Sequence, residues 1–311
     1  MGRILITPRS LSRGGHPALK PLVDAGFDLV FPTPGETPGE AELIAAVPGC
    51  DGWLAGVEPV SEAVIAAADR LRVISRNGTG VDNLPVAAVE ARQIAIKRAE
   101  GTNARGVAEL ALALTLAGLR DIVQTHSGIA AGGWPRRIGR ELLGAEVAVV
   151  GLGAIGASFA EFALALGAKV RGVDPVAPVD RVVHPAFRRC DLAGALDGAE
   201  IVSLHAPLPE DGRALLGPAE IATLARGAIV VNTARAGLVD QGAMLSALDA
   251  GHVAAYATDV FESEPPAPAP LLAHPRVILT SHIGGFTVES VDRTTKRAVD
   301  NLLDVLRIHA D

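Results

Sequence analysis

The chain has 311 residues, a formal net charge of −7, 49% hydrophobic residues and 20% charged residues. This composition provides enough apolar side chains for one large or two smaller cores and excludes a disordered chain, while the negative charge gives no general attraction to nucleic acid or to an anionic membrane. Charges, Gly or Pro interrupt every apolar stretch, and the segment before Pro8 is too short for a signal sequence, so we expect a cytoplasmic protein without membrane spans.

The first hundred residues alternate short apolar segments with helical ones, a pattern that predicts a parallel sheet covered by helices. The predicted strands are Arg3–Thr7, Asp28–Phe31, Gly52–Ala55, Arg72–Ser75 and Ala95–Ile96. The predicted helices are Pro17–Ala25, Glu40–Val47, Glu62–Ala68 and Val86–Arg92.

Two glycines follow the fourth predicted strand, in the segment Arg76-Asn77-Gly78-Thr79-Gly80. Glycines just beyond the C-terminal end of a strand can expose backbone amides as an anion-binding nest, at the edge where α/β sheets bind ligands. An ordinary glycine-rich loop explains the same residues, so the local sequence leaves both interpretations open.

A long apolar segment, Asn103–Leu119, predicts a helix that is buried on most sides. The segment that follows it, Arg120–Leu143, fits neither predicted sheet and contains Gly132-Gly133-Trp134-Pro135-Arg136-Arg137. It is typical of an arm that packs on another surface. The two candidate surfaces are a dimer partner, which we favour, and the body of the same chain, on which the arm would act as a lid.

The second half of the chain begins at Glu146 with a β-branched strand, which a glycine turn joins to an apolar helix. The turn reads Gly151-Leu152-Gly153-Ala154-Ile155-Gly156, and the next predicted strand, Lys169–Val173, ends at Asp174. In dinucleotide-binding folds these glycines allow a tight turn, close approach of a pyrophosphate to the helix N-terminus, and close packing of helix on strand. A carboxylate about 20 residues further on accepts from the ribose diol. The combination predicts a dinucleotide site.

Polar side chains follow several strands of this second half. The further predicted strands are Ile201–Leu204, Ala228–Asn232, Val253–Thr258 and Val277–Leu279, and the helices are Asp191–Leu196, Pro218–Ala225, Asp240–Ala250 and Thr287–Ile308. Because the C-terminal ends of parallel strands meet at one edge of a sheet, we expect the polar side chains beyond them to line one crevice. They are His205, Arg235, Asp259, Glu264 and His282.

The chemistry of these side chains is that of carbonyl reduction. An imidazolium, His282, can deliver a proton to a carbonyl oxygen near neutral pH, and a carboxylate, Glu264, can orient the ring. A guanidinium, Arg235, can hold a substrate carboxylate. The two cysteines, Cys50 and Cys190, have no metal-binding spacing, so no metal site is predicted.

Several motifs in order give the chain a family resemblance over nearly its whole length. They are Ser75-Arg76-Asn77-Gly78-Thr79-Gly80-Val81-Asp82-Asn83, Val107-Ala108-Glu109-Leu110, the glycine turn, Leu204-His205-Ala206-Pro207-Leu208, Val231-Asn232-Thr233-Ala234-Arg235-Ala236-Gly237, Asp259-Val260-Phe261-Glu262-Ser263-Glu264-Pro265 and Ser281-His282-Ile283-Gly284-Gly285. In these motifs the chain resembles the D-isomer-specific 2-hydroxyacid dehydrogenases, and within them the phosphoglycerate dehydrogenase-like branch.

The resemblance implies roles for individual residues. The implied catalytic residues are Arg235, Glu264 and His282. The implied NAD contacts are Gly151, Gly153, Ala154, Ile155, Gly156, Asp174, His205, Ala206, Pro207, Thr233, Ala234, Arg235, Asp259, His282 and Gly284. The implied substrate contacts are Arg76, Asn77, Gly78, Thr79 and Gly80 with Arg235 and His282. The resemblance also implies a homodimer formed through residues 103–143.

The expected fold class is α/β, with two Rossmann-like, doubly wound parallel-sheet domains. Residues 1–100 and 285–311 are predicted to form a discontinuous, flavodoxin-like substrate domain, and residues 101–284 the NAD-binding domain. The expected function is NAD-dependent interconversion of a small 2-keto acid and its D-2-hydroxy acid. The alternative is an NAD-sensing binding protein, like the corepressors that share this fold.

The substrate stays open at this point. Phosphoglycerate-binding members often carry a basic residue after the third strand, whereas this chain has Gly56-Val57-Glu58-Pro59 there. Phosphohydroxypyruvate, glyoxylate, hydroxypyruvate and other small 2-keto acids all remain candidates.

Overall fold

The computed structural model describes residues 2–307, which divide into two units. The first unit contains the residues up to Asn103 together with those from Val288, and the second contains Ala104–Thr287. The sequence prediction divides the chain after residues 100 and 284. Each unit is built on a wholly parallel sheet with helices on it, so the predicted fold class is confirmed.

The first unit has a five-stranded sheet in the order β2-β1-β3-β4-β5. Its strands are β1 (Arg3–Ile6), β2 (Asp28–Val30), β3 (Gly52–Ala55), β4 (Val73–Arg76) and β5 (Ala95–Arg98). Its helices are α1 (Lys20–Asp24), α2 (Glu40–Ala46), α3 (Glu62–Ala67), α4 (Val86–Ala91) and a C-terminal helix, Val288–Arg307. The last residue predicted for that helix, Ile308, lies outside the described residues.

Alternation along the strands gives this sheet two apolar faces. Leu5 points into one core with Trp53 and Ile74, whereas its neighbours in β1 point into the other. That second core is closed by Val299 and Leu302 of the C-terminal helix. Successive side chains of a strand face opposite sides, so a run of consecutive apolar residues predicts a sheet buried on both faces.

The second unit has a seven-stranded sheet in the order β12-β11-β10-β9-β6-β7-β8. Its strands are β6 (Glu146–Val150), β7 (Lys169–Val173), β8 (Phe187–Arg189), β9 (Ile201–Leu204), β10 (Ala228–Asn232), β11 (Val253–Thr258) and β12 (Val277–Leu279). Its helices are α5 (Ala104–Leu119), α6 (Ile122–Ala130), α7 (Ala154–Ala165), α8 (Leu192–Leu196), α9 (Pro218–Thr223), α10 (Gln241–Asp249) and α11 (Pro270–Ala273).

The strand order of this second sheet reverses between β6 and β9. From β6 the chain runs outward through β7 to β8, and it then returns to β9 on the other side of β6. Such a reversal opens a crevice beyond the C-terminal ends of the two central strands, where open α/β sheets bind ligands. Helices α5 and α7 cover one face of the sheet, where Ala108 and Phe159 belong to the same core as Val149.

Three short elements depart from the sequence prediction. Strand β8 is an edge strand in which Phe187 is the only apolar residue, so it lacks the run that identified the other strands. Helix α6 forms within the segment predicted as an arm, directly after Asp121, whose φ is +49°. Helix α11 begins at Pro270, the end of the proline-rich stretch. None of the helices within residues 2–307 combines the length and the hydrophobicity that a membrane-spanning helix requires.

Candidate active site

The glycine turn after β6 leaves no room for side chains at two of its positions. A Cβ on Gly156 would lie 1.8 Å from the carbonyl oxygen of Gly151, and a Cβ on Gly151 would lie 2.6 Å from the backbone of His205. Gly151 also has a φ of +93°. Gly153 differs, because no other part of residues 2–307 lies within 4 Å of the position of its Cβ. The turn is therefore packed tightly on the protein side and open at its middle glycine.

The open position is the N-terminus of helix α7. Gly153 is the N-cap of this helix of 12 residues and supplies no side-chain hydrogen bond to it. The first amides of a helix have no partner within the helix, and the helix dipole favours negative charge there. Ala154 and Ile155, predicted as NAD contacts, are the first two helical residues. This end of α7 fits the pyrophosphate of a dinucleotide.

Asp174 follows β7 and joins that strand end to the glycine turn. Its carboxylate accepts hydrogen bonds at 2.8 Å from the amides of Leu152, Val176 and Ala177. Burial alone would raise its pKa, but these three donors, together with the positive charge of Arg189, outweigh burial and hold the pKa below its ordinary value. The carboxylate is therefore ionised and retains lone pairs for the hydroxyls of a ribose.

A guanidinium from β8 supports the Asp174 loop. Arg189 donates to the carbonyl oxygen of Asp174 and, at 2.9 Å, to that of Pro178. This contact could not be predicted from the sequence, because β8, which carries Arg189, lacks the apolar run that identifies the other strands. Together, the glycine turn, the α7 N-terminus and Asp174 lie at the C-terminal ends of β6 and β7 and fit a dinucleotide whose ribose diol is unmodified.

His205, predicted as an NAD contact, places its ring among protein side chains. Its Nε2 lies 2.8 Å from the hydroxyl of Ser203, and its ring centroid lies 5.3 Å from that of Phe159. Burial lowers the pKa of His205 to about 3, so the ring is neutral at physiological pH. The backbone and Cβ of His205 pack against Gly151 and Gly156 of the glycine turn. The groups that can contact a cofactor here are the backbone of His205 and the next two residues, Ala206 and Pro207.

Arg235 lies in a loop that a buried asparagine shapes. The side chain of Asn232, at the end of β10, donates to the carbonyl of Arg235 at 2.8 Å and accepts from the amide of Ala234 at 3.1 Å. Thr233 is buried, and its hydroxyl has no hydrogen-bond partner within residues 2–307. The Arg235 side chain is exposed and donates to the carbonyl of Ala234 at 2.8 Å. The loop thus presents a guanidinium at the same sheet edge as the glycine turn.

His282 and Glu264 form a direct pair. The Nδ1 atom of His282 lies 2.8 Å from both carboxylate oxygens of Glu264, and the two side chains are 54% and 39% exposed. His282 has a φ of +54°, an uncommon conformation for a residue other than glycine, which persists only where the surroundings fix it. Because Nδ1 is bound by the carboxylate, Nε2 is the ring nitrogen left to exchange a proton with a substrate.

Asp259 fixes the loop that carries His282. It is 1% exposed and accepts from the hydroxyl of Thr280 at 2.6 Å, from the amide of Ile283 at 2.9 Å and from the amide of Gly284 at 2.8 Å. These three donors flank His282 on both sides. The sequence assigned Asp259 and Gly284 to the cofactor, and it missed this bracing role, which depends on contacts between two loops.

The first unit carries the loop predicted to bind the substrate carboxylate. The amides of Gly78, Thr79 and Gly80 donate to no acceptor within residues 2–307, and nothing lies within 4 Å of the Cβ position of Gly78. Arg76 is 6% exposed and donates to the carbonyls of Gly80 at 2.9 Å and Ala55 at 3.3 Å. Arg76 is thus a scaffold beneath the loop, and the unpartnered amides are the groups available to an anion.

The NAD-binding domain of a known family matches the second unit. The matching description is "D-isomer specific 2-hydroxyacid dehydrogenase, NAD binding domain", over residues 112–284. The chain is also 37% identical over 259 residues to the D-3-phosphoglycerate dehydrogenase of Mycobacterium leprae, an alignment that covers 82% of this chain and 49% of that relative. The chain belongs to the D-isomer-specific 2-hydroxyacid dehydrogenase family.

Solved structures with a similar fold cover nearly the whole chain. A protein from Thermus thermophilus is 33% identical, with a TM-score of 0.87 over 98% of this chain and 97% of its own. D-2-hydroxyisocaproate dehydrogenase is 27% identical, with a TM-score of 0.83 over the same shares. This family member spans about half the length of the curated relatives that it matches, 49% for the M. leprae enzyme. The resemblance found in its motifs and the prediction of an NAD-binding domain are confirmed.

Proposed function

We propose that the chain is an NAD-dependent dehydrogenase that interconverts a small 2-keto acid and its D-2-hydroxy acid. The observation that carries the proposal is the His282–Glu264 pair, held at 2.8 Å at the sheet edge that also presents the glycine turn and Arg235. A proton donor, a carboxylate-binding guanidinium and a dinucleotide site are the groups that reduction of a 2-keto acid requires.

Each side chain has a separate task in this reaction. In the reducing direction, protonated His282 donates from Nε2 to the ketone oxygen, while Glu264 accepts from Nδ1 and keeps the ring in one orientation. Arg235 binds the substrate carboxylate through paired N–H donors and draws electron density from the adjacent carbonyl. Bound NADH supplies the hydride. In the oxidising direction, neutral His282 accepts the proton of the alcohol.

Asp174, the glycine turn and the first amides of α7 would hold the cofactor. The turn offers amides to the pyrophosphate, and the ionised carboxylate accepts from the ribose hydroxyls. The same carboxylate repels a phosphate on the ribose, so NAD is the expected cofactor and NADP is disfavoured. In the first unit, the amides of Gly78, Thr79 and Gly80 are proposed to contribute to binding of the substrate carboxylate.

The experiment that tests the function is oxidation of NADH by the purified protein with a panel of 2-keto acids. The panel contains glyoxylate, hydroxypyruvate, phosphohydroxypyruvate and a branched 2-keto acid. The relatives named D-3-phosphoglycerate dehydrogenase favour the phosphorylated member, and the loop Gly56–Pro59, which has no base, favours the others. Tight NADH binding without turnover of any member would instead support the corepressor-like alternative.

A homodimer is proposed through the segment between residues 103 and 143. Several apolar side chains in the part of it that follows α5 face solvent: Ile122 is 54% exposed, Trp134 is 78% exposed and Ile138 is fully exposed. Clustered apolar side chains at the surface of a protein mark interaction sites more often than scattered ones do. The mass of the protein in solution, measured by light scattering, distinguishes a dimer from an arm that folds onto its own chain.

A further inference from the structure

A carboxylic acid lies buried in the turn after β3, beneath the loops of the first unit. Glu58 is 1% exposed. Its Oε1 accepts from the amide of Gly56 at 2.9 Å and contacts the hydroxyl of Thr7, which in turn accepts from the indole N–H of Trp53 at 2.9 Å. Its Oε2 has no hydrogen-bond partner within residues 2–307. A Cβ on Gly56 would lie 2.7 Å from Oε2 and 3.0 Å from the Cα of Pro8, so a side chain at residue 56 would displace the carboxyl group.

The buried oxygen without a partner favours the neutral acid over the carboxylate, and it outweighs the two donors at Oε1, which favour the charged form. A carboxylate would leave a full negative charge on a buried group with one oxygen unsatisfied, which is costly in a protein interior. The neutral acid keeps the same bonds to Oε1 and leaves only a hydroxyl without a partner. Burial raises the pKa of Glu58, against the opposing effects of Thr7, of backbone amides and of the positive charge of Arg76. The geometry and the direction of the pKa therefore agree.

Arg76 is the charged group of the neighbouring strand that acts on Glu58. Its guanidinium is 6% exposed, bonds to the carbonyl of Gly80 and lies beneath the loop whose amides have no acceptor. Burial lowers its pKa, yet an arginine stays protonated at physiological pH. Two acids act on its charge, Glu58 more strongly and Asp82 less. Whether Glu58 is ionised thus decides how much positive charge the loop offers to an anion.

We propose that Glu58 is a specificity-determining residue for the anionic substrate: as a neutral acid it leaves the charge of Arg76 available beneath residues 77–80, where that charge attracts a carboxylate. The identity of the anion as a 2-keto acid rests on the proposed function. Glu58 touches the loop scaffold and acts through Arg76, so it is a positioning residue. As pH rises and Glu58 ionises, the two charges cancel and the affinity of the loop for anions falls.

The test is calorimetric titration of the full chain with oxalate, a redox-inert anion that shares the carboxylate and adjacent oxygen of a 2-keto acid. Three proteins are compared between about pH 6 and about pH 9: the wild type, Glu58→Gln and Glu62→Gln. Glutamine keeps an acceptor for Gly56 and cannot ionise. Glu62 is an exposed acid at the start of α3 in the same unit, so its variant makes the same change of charge at the surface.

We expect the wild type and Glu62→Gln to lose about tenfold more oxalate affinity than Glu58→Gln as pH rises, because a negative charge that opposes the charge of Arg76 appears at residue 58 only in the first two. The rest of the chain is the same in the wild type and Glu58→Gln, so the difference in pH dependence isolates Glu58. A second variant, Thr7→Val, removes a hydroxyl at Oε1 and should move the loss of affinity to higher pH.

Equal pH dependence in the wild type and Glu58→Gln would overturn the inference, and so would failure of the wild type to bind oxalate at any pH. The two proposals fail separately. Reduction of a 2-keto acid without an effect of Glu58→Gln leaves the function standing and removes this inference. Oxalate binding with the expected difference, but without turnover of any 2-keto acid, would support the inference about Glu58 and remove the proposed function.

Discussion

His282 is the residue whose replacement tests the chemistry most directly. Its Nδ1 is bound by Glu264 and its Nε2 is left for the substrate, so His282→Ala removes the proton donor while the glycine turn stays intact. We predict a loss of about two to four orders of magnitude in kcat, the range of a general acid. Stopped-flow NADH binding should be unchanged.

The matched control is His184→Ala, which removes an exposed histidine of the same unit that lies away from these strand ends. If both variants lost activity to the same degree, or neither did, His282 would not be the proton donor. Glu264→Gln should fall between the wild type and His282→Ala, because an amide can still bond to the ring but carries no charge.

Replacement of Arg235 should weaken substrate binding more than cofactor binding. Removal of a charged hydrogen-bond donor from a desolvated carboxylate costs several kcal/mol, so Arg235→Ala should lower kcat/KM for the 2-keto acid by about two orders of magnitude or more. Arg235→Lys should restore only part of it, because an ammonium lacks the planar pair of donors. Steady-state kinetics measure both effects, and the control is Arg188→Ala, at an exposed arginine of β8. A near-normal kcat/KM for Arg235→Ala would show that Arg235 does not bind the substrate.

Cofactor choice depends on the charge of Asp174. Its three backbone donors keep its pKa below the ordinary value, so the carboxylate stays ionised at mildly acidic pH and repels a ribose phosphate there too. We predict a higher kcat/KM for NADH than for NADPH across the acidic and neutral range. Equal values for the two cofactors would mean that a cation such as Arg189, which bonds to this loop, compensates for the repulsion.

Single elements show how far the sequence determines this fold. Strands β6, β7, β9, β10, β11 and β12 were predicted because apolar and β-branched runs end in glycine, proline or polar residues. Strand β8 was missed because pairing with β7 stabilises it, and that pairing is not encoded in its own three residues. Long amphipathic or apolar segments can thus be predicted from their own residues, whereas short edge strands form only because of the strands beside them.

The candidate site divides in the same way. Residues that meet a chemical need at a strand end, such as Arg235 and His282, were found from their type and position. Residues that hold those loops in shape were not: Asn232 braces the Arg235 loop and Arg189 braces the Asp174 loop through contacts between separate parts of the chain. No local sequence pattern predicts a contact between residues that are far apart along the chain.

The segment after α5 should decide the oligomeric state. Introducing charge into its exposed apolar side chains, with Trp134→Glu and Ile138→Glu together, is predicted to convert a dimer to monomers, because an interface core does not tolerate unpaired charge. Light scattering after gel filtration measures the mass. The control is Val179→Glu, at a residue that is 84% exposed outside this segment. A wild type that is already monomeric would contradict the proposal.

The stability of the whole molecule should depend on His205 in acid. The folded protein holds the pKa of His205 at about 3, whereas the unfolded chain has its ordinary value near 6.5. Below the ordinary value the unfolded state binds a proton that the folded state excludes, so stability is lost as pH falls from about 6.5 towards 3. His205→Gln should lose less over this interval.

Scanning calorimetry at a series of pH values measures the effect. His126→Gln, at an exposed histidine of α6, should follow the wild type. If His205→Gln also followed the wild type, burial of the His205 ring would not contribute to acid denaturation.

The order of the units along the chain has a consequence for the biosynthesis of the protein. All five strands of the first unit precede Asn103, but the helix that closes one face of their sheet begins only at Val288. Domains fold as units while the chain emerges from the ribosome. The second unit can therefore complete its sheet before the C-terminal helix is synthesised. Until then, the sheet face that contains Ile4 and Ile6 is not covered by Val299 and Leu302. A nascent chain at this stage displays an apolar sheet face of the kind that chaperones bind, and a premature stop within the last helix leaves that face uncovered for good.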